Sequence, residues 1–197
     1  MTQLLATTLP SIILVYIFVT QDKFPEPKKI ILITFVFGIL ITIPAGFLNS
    51  YLIDYLYYNF RYHHYYNEIE TFFVGPFIEE ILKFCIIFFY CSRLDDFDEP
   101  MDGLVYGATA ALGFAMAENF DYVYNAASFN ATWQEVAWVR ALSTAPMHAA
   151  CGAMIGFAIS YYRFYNKNII FLLIGLLIAI IFHFLFNYGF FDLIVLI

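Results

Sequence analysis

Six apolar runs, each long enough to cross a bilayer as a helix, follow one another through this chain at residues 4–20, 29–53, 69–91, 102–127, 135–162 and 169–188. A spanning helix needs about 20 apolar residues to traverse a hydrocarbon core of roughly 30 Å. Inside that core every backbone N–H and C=O must be satisfied within the structure, which leaves helices or a closed barrel. The period-two alternation of a barrel strand is absent, so the expectation is all-α: a polytopic helical membrane protein with six to seven transmembrane helices. The seventh element is the apolar tail 190–197, about 12 Å long if helical, which reads as a half-helix or a clipped span.

Composition agrees with this. The chain has 197 residues, 62% of them hydrophobic and 13% charged, with a mean hydropathy of +0.76, far from the balance of a soluble domain. A net charge of -7 offers no basic patch, so nucleic acid is not an expected partner. Cys85, Cys91 and Cys151 form no CxxC pair and read as packing residues. The first run has no Lys or Arg before it and no small-residue cleavage site after it, so it reads as a retained span. Linkers are short and polar, and residues 1–197 read as one domain. Segment 55–66, with His63, His64 and seven aromatics, reads as an interfacial helix or loop.

Lys and Arg counted over alternate loops set an orientation. Lys23, Lys28, Lys29, Arg93, Arg163 and Lys167 fall on one side and Arg61 on the other, so the first side is expected to be cytoplasmic. At about 1.5 Å per residue, Glu79, Glu80, Glu118, His148 and His183 then all lie on the order of 8–20 Å below the outer edge. These five residues are the anomaly in the pattern. An ionisable side chain within a membrane helix is costly unless it is paired or faces a wet cavity, and such residues mark functional sites.

Spacing organises them. Lys83 is four residues from Glu79 and three from Glu80, within reach of both along one helix face. The excess negative charge favours a nearby cation or a proton retained by one carboxyl. Gly75-Pro76 is expected to loosen or kink that helix. In the fourth run Gly103, Gly107 and Ala111 form a small-residue face that lets a neighbour approach closely. Arg140, Thr144, His148, Gly152 and Gly156 recur every four residues in the fifth. Arg140 either snorkels to the interface or binds a carboxylate, and Pro146 disturbs the helix beside His148. His183 and Asn187 share a face of the sixth.

Two imidazoles and a carboxylate make a His2Glu set of the kind that holds catalytic zinc. The expected metal ligands are Glu118, His148 and His183 around a divalent ion, zinc by that ligand set. Glu80, with Glu79 beside it, is expected as general base, and Asn187 as a donor to the oxyanion. No contiguous HExxH is present, so such a site has to assemble from separate helices. Two other classes use similar residues: an ion or proton transporter with carboxylate sites, and a carrier with a haem between the two histidines.

The order Glu79-Glu80-x-x-Lys83, Asp102-Gly-x-x-Tyr-Gly leading to Gly113-Phe114-x-x-x-Glu118-Asn119, then His148 and His183-x-x-x-Asn187, resembles the PrsW family of intramembrane proteases over about 110 residues. It is similar, more remotely, to the CAAX prenyl endopeptidase and bacteriocin-processing superfamily. There the middle motif ends in His, where this chain has Glu118. The resemblance implies a membrane-embedded metallopeptidase of the cell membrane, in bacteria the inner membrane. Its implied substrate is a membrane-anchored protein, such as an anti-sigma factor, cut outside the cytoplasm. Carried over by position, Glu79, Glu80, Glu118 and His183 match the family's functional motifs, with His148 a further match.

Overall fold

A computed structural model describes residues 1–61 and 73–194, and among these every regular element is helical. Among the described residues there are eight α-helices: α1 Thr2–Gln21, α2 Lys28–Leu40, α3 Thr42–Phe60, α4 Gly75–Phe89, α5 Pro100–Tyr124, α6 Trp133–Leu142, α7 Thr144–Phe164 and α8 Ile170–Ile194. His63 and His64 lie outside the described residues, so the interfacial reading of 55–66 rests on its first half, which continues α3. The apolar tail, as far as it is described, is helical and continuous with the last span, since α8 runs through Asn187-Tyr188-Gly189 to Ile194.

Two expected spans are each divided, and one rule accounts for both. Pro44 and Pro146 occupy the third positions of α3 and α7, while the preceding helices end at Leu40 and Leu142, four residues earlier in each case. A proline ring clashes with the carbonyl four residues back and cannot donate to it, so the helix stops there. The break before α7 falls at Ser143, with φ -122° and ψ -60°. Gly75-Pro76 stands in the first turn of α4, directly after a π-helical turn at Phe73 and Val74.

Helix α5 is the centre of the bundle. It packs most extensively on α7 and then on α2 and α1, while α7 also packs on α8. Its glycines and alanines are buried around the whole circumference. A methyl group on Gly103 or Gly107 would overlap the Gly156 or Gly152 carbonyl oxygen of α7, and one on Gly113 would overlap the Phe35 carbonyl of α2. Small residues on both partners therefore allow backbone-to-backbone packing, the usual route to tight association where lipid is as apolar as the side chains.

Hydrophobicity runs outward. Among the described residues four stretches, Thr2–Gln21, Lys28–Phe60, Trp133–Phe164 and Ile170–Gly189, are long and apolar enough to cross a membrane by length and composition. Helix α5 is buried yet less hydropathic, because it carries Asp102, Glu118 and Asp121 among small residues. The outer helices instead expose Leu9, Ile13 and Ile17 of α1 and Ile174, Leu177 and Ile181 of α8. Such a surface would aggregate in water and suits contact with acyl chains. The chain is a multi-pass membrane protein.

Candidate functional site

Helices α4, α5, α6, α7 and α8 each send polar side chains to one place. Glu79, Glu80 and Lys83 come from successive positions on one face of α4, whose other neighbours are apolar. The pairing expected along this helix is present: Lys83 Nζ lies 2.8 Å from Glu80 Oε1 and 3.7 Å from Glu79 Oε2. The ammonium also reaches across to α7, 2.9 Å from His148 Nδ1, and sits over the Phe114 ring at 4.5 Å. Glu80, Lys83 and His148 are fully buried.

The partners decide the histidine tautomers. An ammonium has only donors, so Lys83 donates to His148 Nδ1, and the proton of a neutral ring is left on Nε2. That Nε2 lies 3.0 Å from Glu118 Oε2, an acceptor. His183 Nδ1 lies 2.7 Å from Glu80 Oε1, so the carboxylate draws the proton to Nδ1 and the lone pair of His183 is on Nε2. A carboxylate behind an imidazole in this way is the usual support of a metal-binding histidine. The two rings stand edge to face, with centroids 4.9 Å apart.

Arg140 from α6 completes the far side. Its Nη2 donates to Glu118 Oε2 at 2.6 Å, its Nε donates to Asn119 Oδ1 at 2.6 Å, and its guanidinium lies 3.8 Å from the Tyr122 ring centroid. The residue is only 9% exposed. Of its two expected roles, carboxylate binding is the one adopted and snorkelling is not. The helix break at Ser143 lies between Arg140 and His148, and both residues nonetheless face the same cavity.

That cavity has a volume of about 940 Å³ and is bordered by Glu79, Glu118, Arg140, Thr144, His148 and His183, with Asn187 on the same wall. It extends to Asn49 of α3 and to Asn130 and Glu135 near its mouth. Several buried oxygens along it have no hydrogen-bond partner: Glu79 Oε2, Asn49 Oδ1 and Thr144 Oγ1, with Glu80 Oε2 behind them. Polar atoms left this way cost free energy unless a ligand or ion engages them.

The structure thus brings Glu79, Glu80, Glu118, His148, His183 and Asn187 around one space. It groups them differently from the sequence reading. Ligand-type atoms of Glu79, Glu80, His148 and His183 lie within 4.8 Å of one another. Glu118 stands outside that group of four, held by Arg140 and His148. Two of the contacts had no sequence signal, although Arg140 and Lys83 themselves did. Arg140 is 22 residues from Glu118, and Lys83 is 65 from His148, separations that no helical spacing could connect.

A helical bundle with an apolar surface that encloses carboxylates, imidazoles and a polar cavity is the architecture of a membrane protein with an internal functional site. Residues 26–197 match the PrsW family intramembrane metalloprotease description, and the chain belongs to that family. It is similar to the protein named Protease PrsW of Oceanobacillus iheyensis, 30% identical over 183 residues that cover 91% of this chain and 78% of that one. The Protease PrsW of Geobacillus kaustophilus is 30% identical over 166 residues, 81% of this chain and 66% of the relative. That of Bacillus subtilis is 32% identical over 165 residues, 79% and 66%. The chain spans about two thirds of the length of the last two. No solved structure matches it.

Proposed function

We propose that this protein is an intramembrane metalloprotease that hydrolyses a peptide bond of a membrane-anchored protein, such as an anti-sigma factor, on the extracytoplasmic side of the cell membrane. The observation that carries the reading is the group of four, Glu79, Glu80, His148 and His183, whose ligand atoms lie within 4.8 Å of one another, with Glu79, His148 and His183 on the wall of the cavity and Glu80 behind them. Glu79 Oε2 and Glu80 Oε2, which have no hydrogen-bond partner, fit a divalent ion beside the two imidazoles, and the mixed nitrogen and oxygen donors favour zinc.

Glu80, His148 and His183 are the proposed ligands, and binding would require the ion to displace the Lys83 ammonium from His148 Nδ1 and Glu80 Oε1 and the proton from His183 Nδ1. Glu118, expected from sequence as a ligand, is instead assigned to orienting His148, since its charge is already engaged by Arg140. When bound, the ion would supply Lewis-acid polarisation of the scissile carbonyl and acidify a water. Glu79, whose Oε2 has no hydrogen-bond partner and only the Lys83 ammonium at 3.7 Å, would take the proton of the attacking water and return it to the departing amine nitrogen. The amide of Asn187 can donate to the carbonyl oxygen as negative charge develops there. Asn49 and Thr144 offer unpaired side-chain oxygens to the backbone N–H groups of an extended substrate segment, whose own amides must be satisfied away from water. The apolar walls exclude bulk solvent, which strengthens each of these contacts.

Glu80→Gln and His183→Ala are each expected to abolish cleavage of a co-expressed single-span substrate, by at least about 100-fold, while the solubilised proteins keep their helical circular dichroism. Normal cleavage by either variant would remove that residue from the mechanism.

A further inference from the structure

The second concentration of buried carboxylates lies at the opposite end of α5. Asp22 follows the last residue of α1, Glu26 sits in the linker to α2, and Asp102 is at the third position of α5. All three are buried, Asp22 and Glu26 at 6% exposure and Asp102 at 0%. Their carboxylate oxygens lie within 4.8 Å of one another. Asp102 is 16 positions from Glu118, about 24 Å along the helix, so this cluster is separate from the cavity described above.

Local capping explains part of the arrangement. Asp102 Oδ2 accepts from the backbone N–H groups of Asp98 and Glu99, Asp22 Oδ1 accepts from that of Phe24, and the Tyr106 hydroxyl donates to Glu26 Oε2. It leaves Asp22 Oδ2 and Asp102 Oδ1 with no partner. Among the described residues no Lys, Arg or His lies within ion-pair distance of any of the three acids. The nearby Lys23 is turned onto the Phe24 ring.

Such a cluster has two ways to relieve its charge. One is a retained proton: burial pushes the Glu26 carboxyl up to about 8, with the Tyr106 hydrogen bond pulling it back and Asp102 pushing it further. A proton on Glu26 faces Asp102 and one on Glu99 faces Asp22, so this route takes two protons, one for each orphaned oxygen. The other is a cation, which can serve both and Glu26 as well.

We propose that Asp22, Glu26 and Asp102 form a binding site for a hard divalent cation, magnesium or calcium, which clamps the end of α1 and the α1–α2 linker to the first turn of α5. All the donors are oxygen, the preference of these ions, and there is no imidazole or thiolate to favour zinc. The three ligands come from two sequence regions about 80 residues apart, so the ion acts as a cross-link that stabilises the fold. The proposal does not depend on proteolytic activity.

The test is thermal melting of the solubilised full-length protein in EDTA, and with magnesium or calcium added alone. Saturable stabilisation of about 5 °C by one of these ions is expected. The effect should disappear in Asp22→Asn, which keeps the acceptor for the Phe24 N–H, and persist in Glu80→Gln. Terbium, a calcium mimic, should show luminescence on excitation of tyrosine that falls in Tyr106→Phe. Asp102→Asn is the less informative variant, because Asp102 also caps α5. If neither ion shifts the melt, or Asp22→Asn responds as the parent does, the proposal is overturned. Asp22→Asn melting in EDTA as high as the parent does with either ion, and unresponsive to both, would instead support stabilisation by the cation.

Discussion

Arg140 shows how a single side chain can hold a centre together from outside it. Its fork meets Glu118 and Asn119 at once, and Glu118 in turn meets His148 Nε2. Removing one partner of a buried ion pair leaves the other charge uncompensated, which costs about 3 kcal/mol where the remaining partner is partly open to the cavity. Arg140→Ala is therefore expected to melt at lower temperature and to cleave poorly. Adding Glu118→Ala should recover part of the stability without recovering cleavage, and a double-mutant cycle of melting free energies measures the coupling. Arg140→Lys should fall between, because an ammonium cannot reproduce the planar pair of bonds. Additive losses in the cycle would show that the contact contributes nothing beyond its parts.

At the scale of elements, the bundle is set by where side chains are small and where prolines stand. Pro146 was legible as a disturbance, and Pro44 was not. Their effect, two spans each divided four residues upstream, follows from the clash with a preceding carbonyl. The Gly103, Gly107 and Ala111 stripe was also legible, and the structure adds its counterpart, Gly152 and Gly156 on α7. A methyl at Gly156 would meet the Gly103 carbonyl, so Gly156→Ala is expected to destabilise by about 1–3 kcal/mol through overpacking. Gly46, in α3, has nothing within 4 Å of where a methyl would stand. Gly46→Ala should thus be neutral or gain up to about 1 kcal/mol from helix propensity. Thermal melting of the two variants beside the parent checks the contrast, and equal effects would mean that α5 and α7 do not pack backbone to backbone.

At the scale of the whole molecule, orientation in the bilayer decides which side of the membrane substrate is cut. The cavity mouth, near Asn130 and Glu135, lies in the connection opposite to the loops rich in Lys and Arg. A cysteine placed at Asn130 should react with a membrane-impermeant maleimide added to intact cells, whereas one at Lys167 should react only after permeabilisation. The reverse pattern would turn the cavity toward the cytoplasm and refute extracytoplasmic cleavage.

Hydropathy and the cost of burying charge in lipid were enough, read from residues alone, to establish an all-α membrane protein and to single out Glu79, Glu80, Glu118, His148 and His183. Both are local properties: the length of an apolar run, and the presence of an ionisable group inside it. Which of those residues touch is not local. The Arg140–Glu118 and Lys83–His148 contacts join helices far apart in sequence, and only the packing of α4, α6 and α7 around the narrow waist of α5 brings them within 3 Å. The same holds for the meeting of Asp22 and Glu26 with Asp102. Periodicity reports the face a side chain occupies, and tertiary packing alone reports what stands opposite that face.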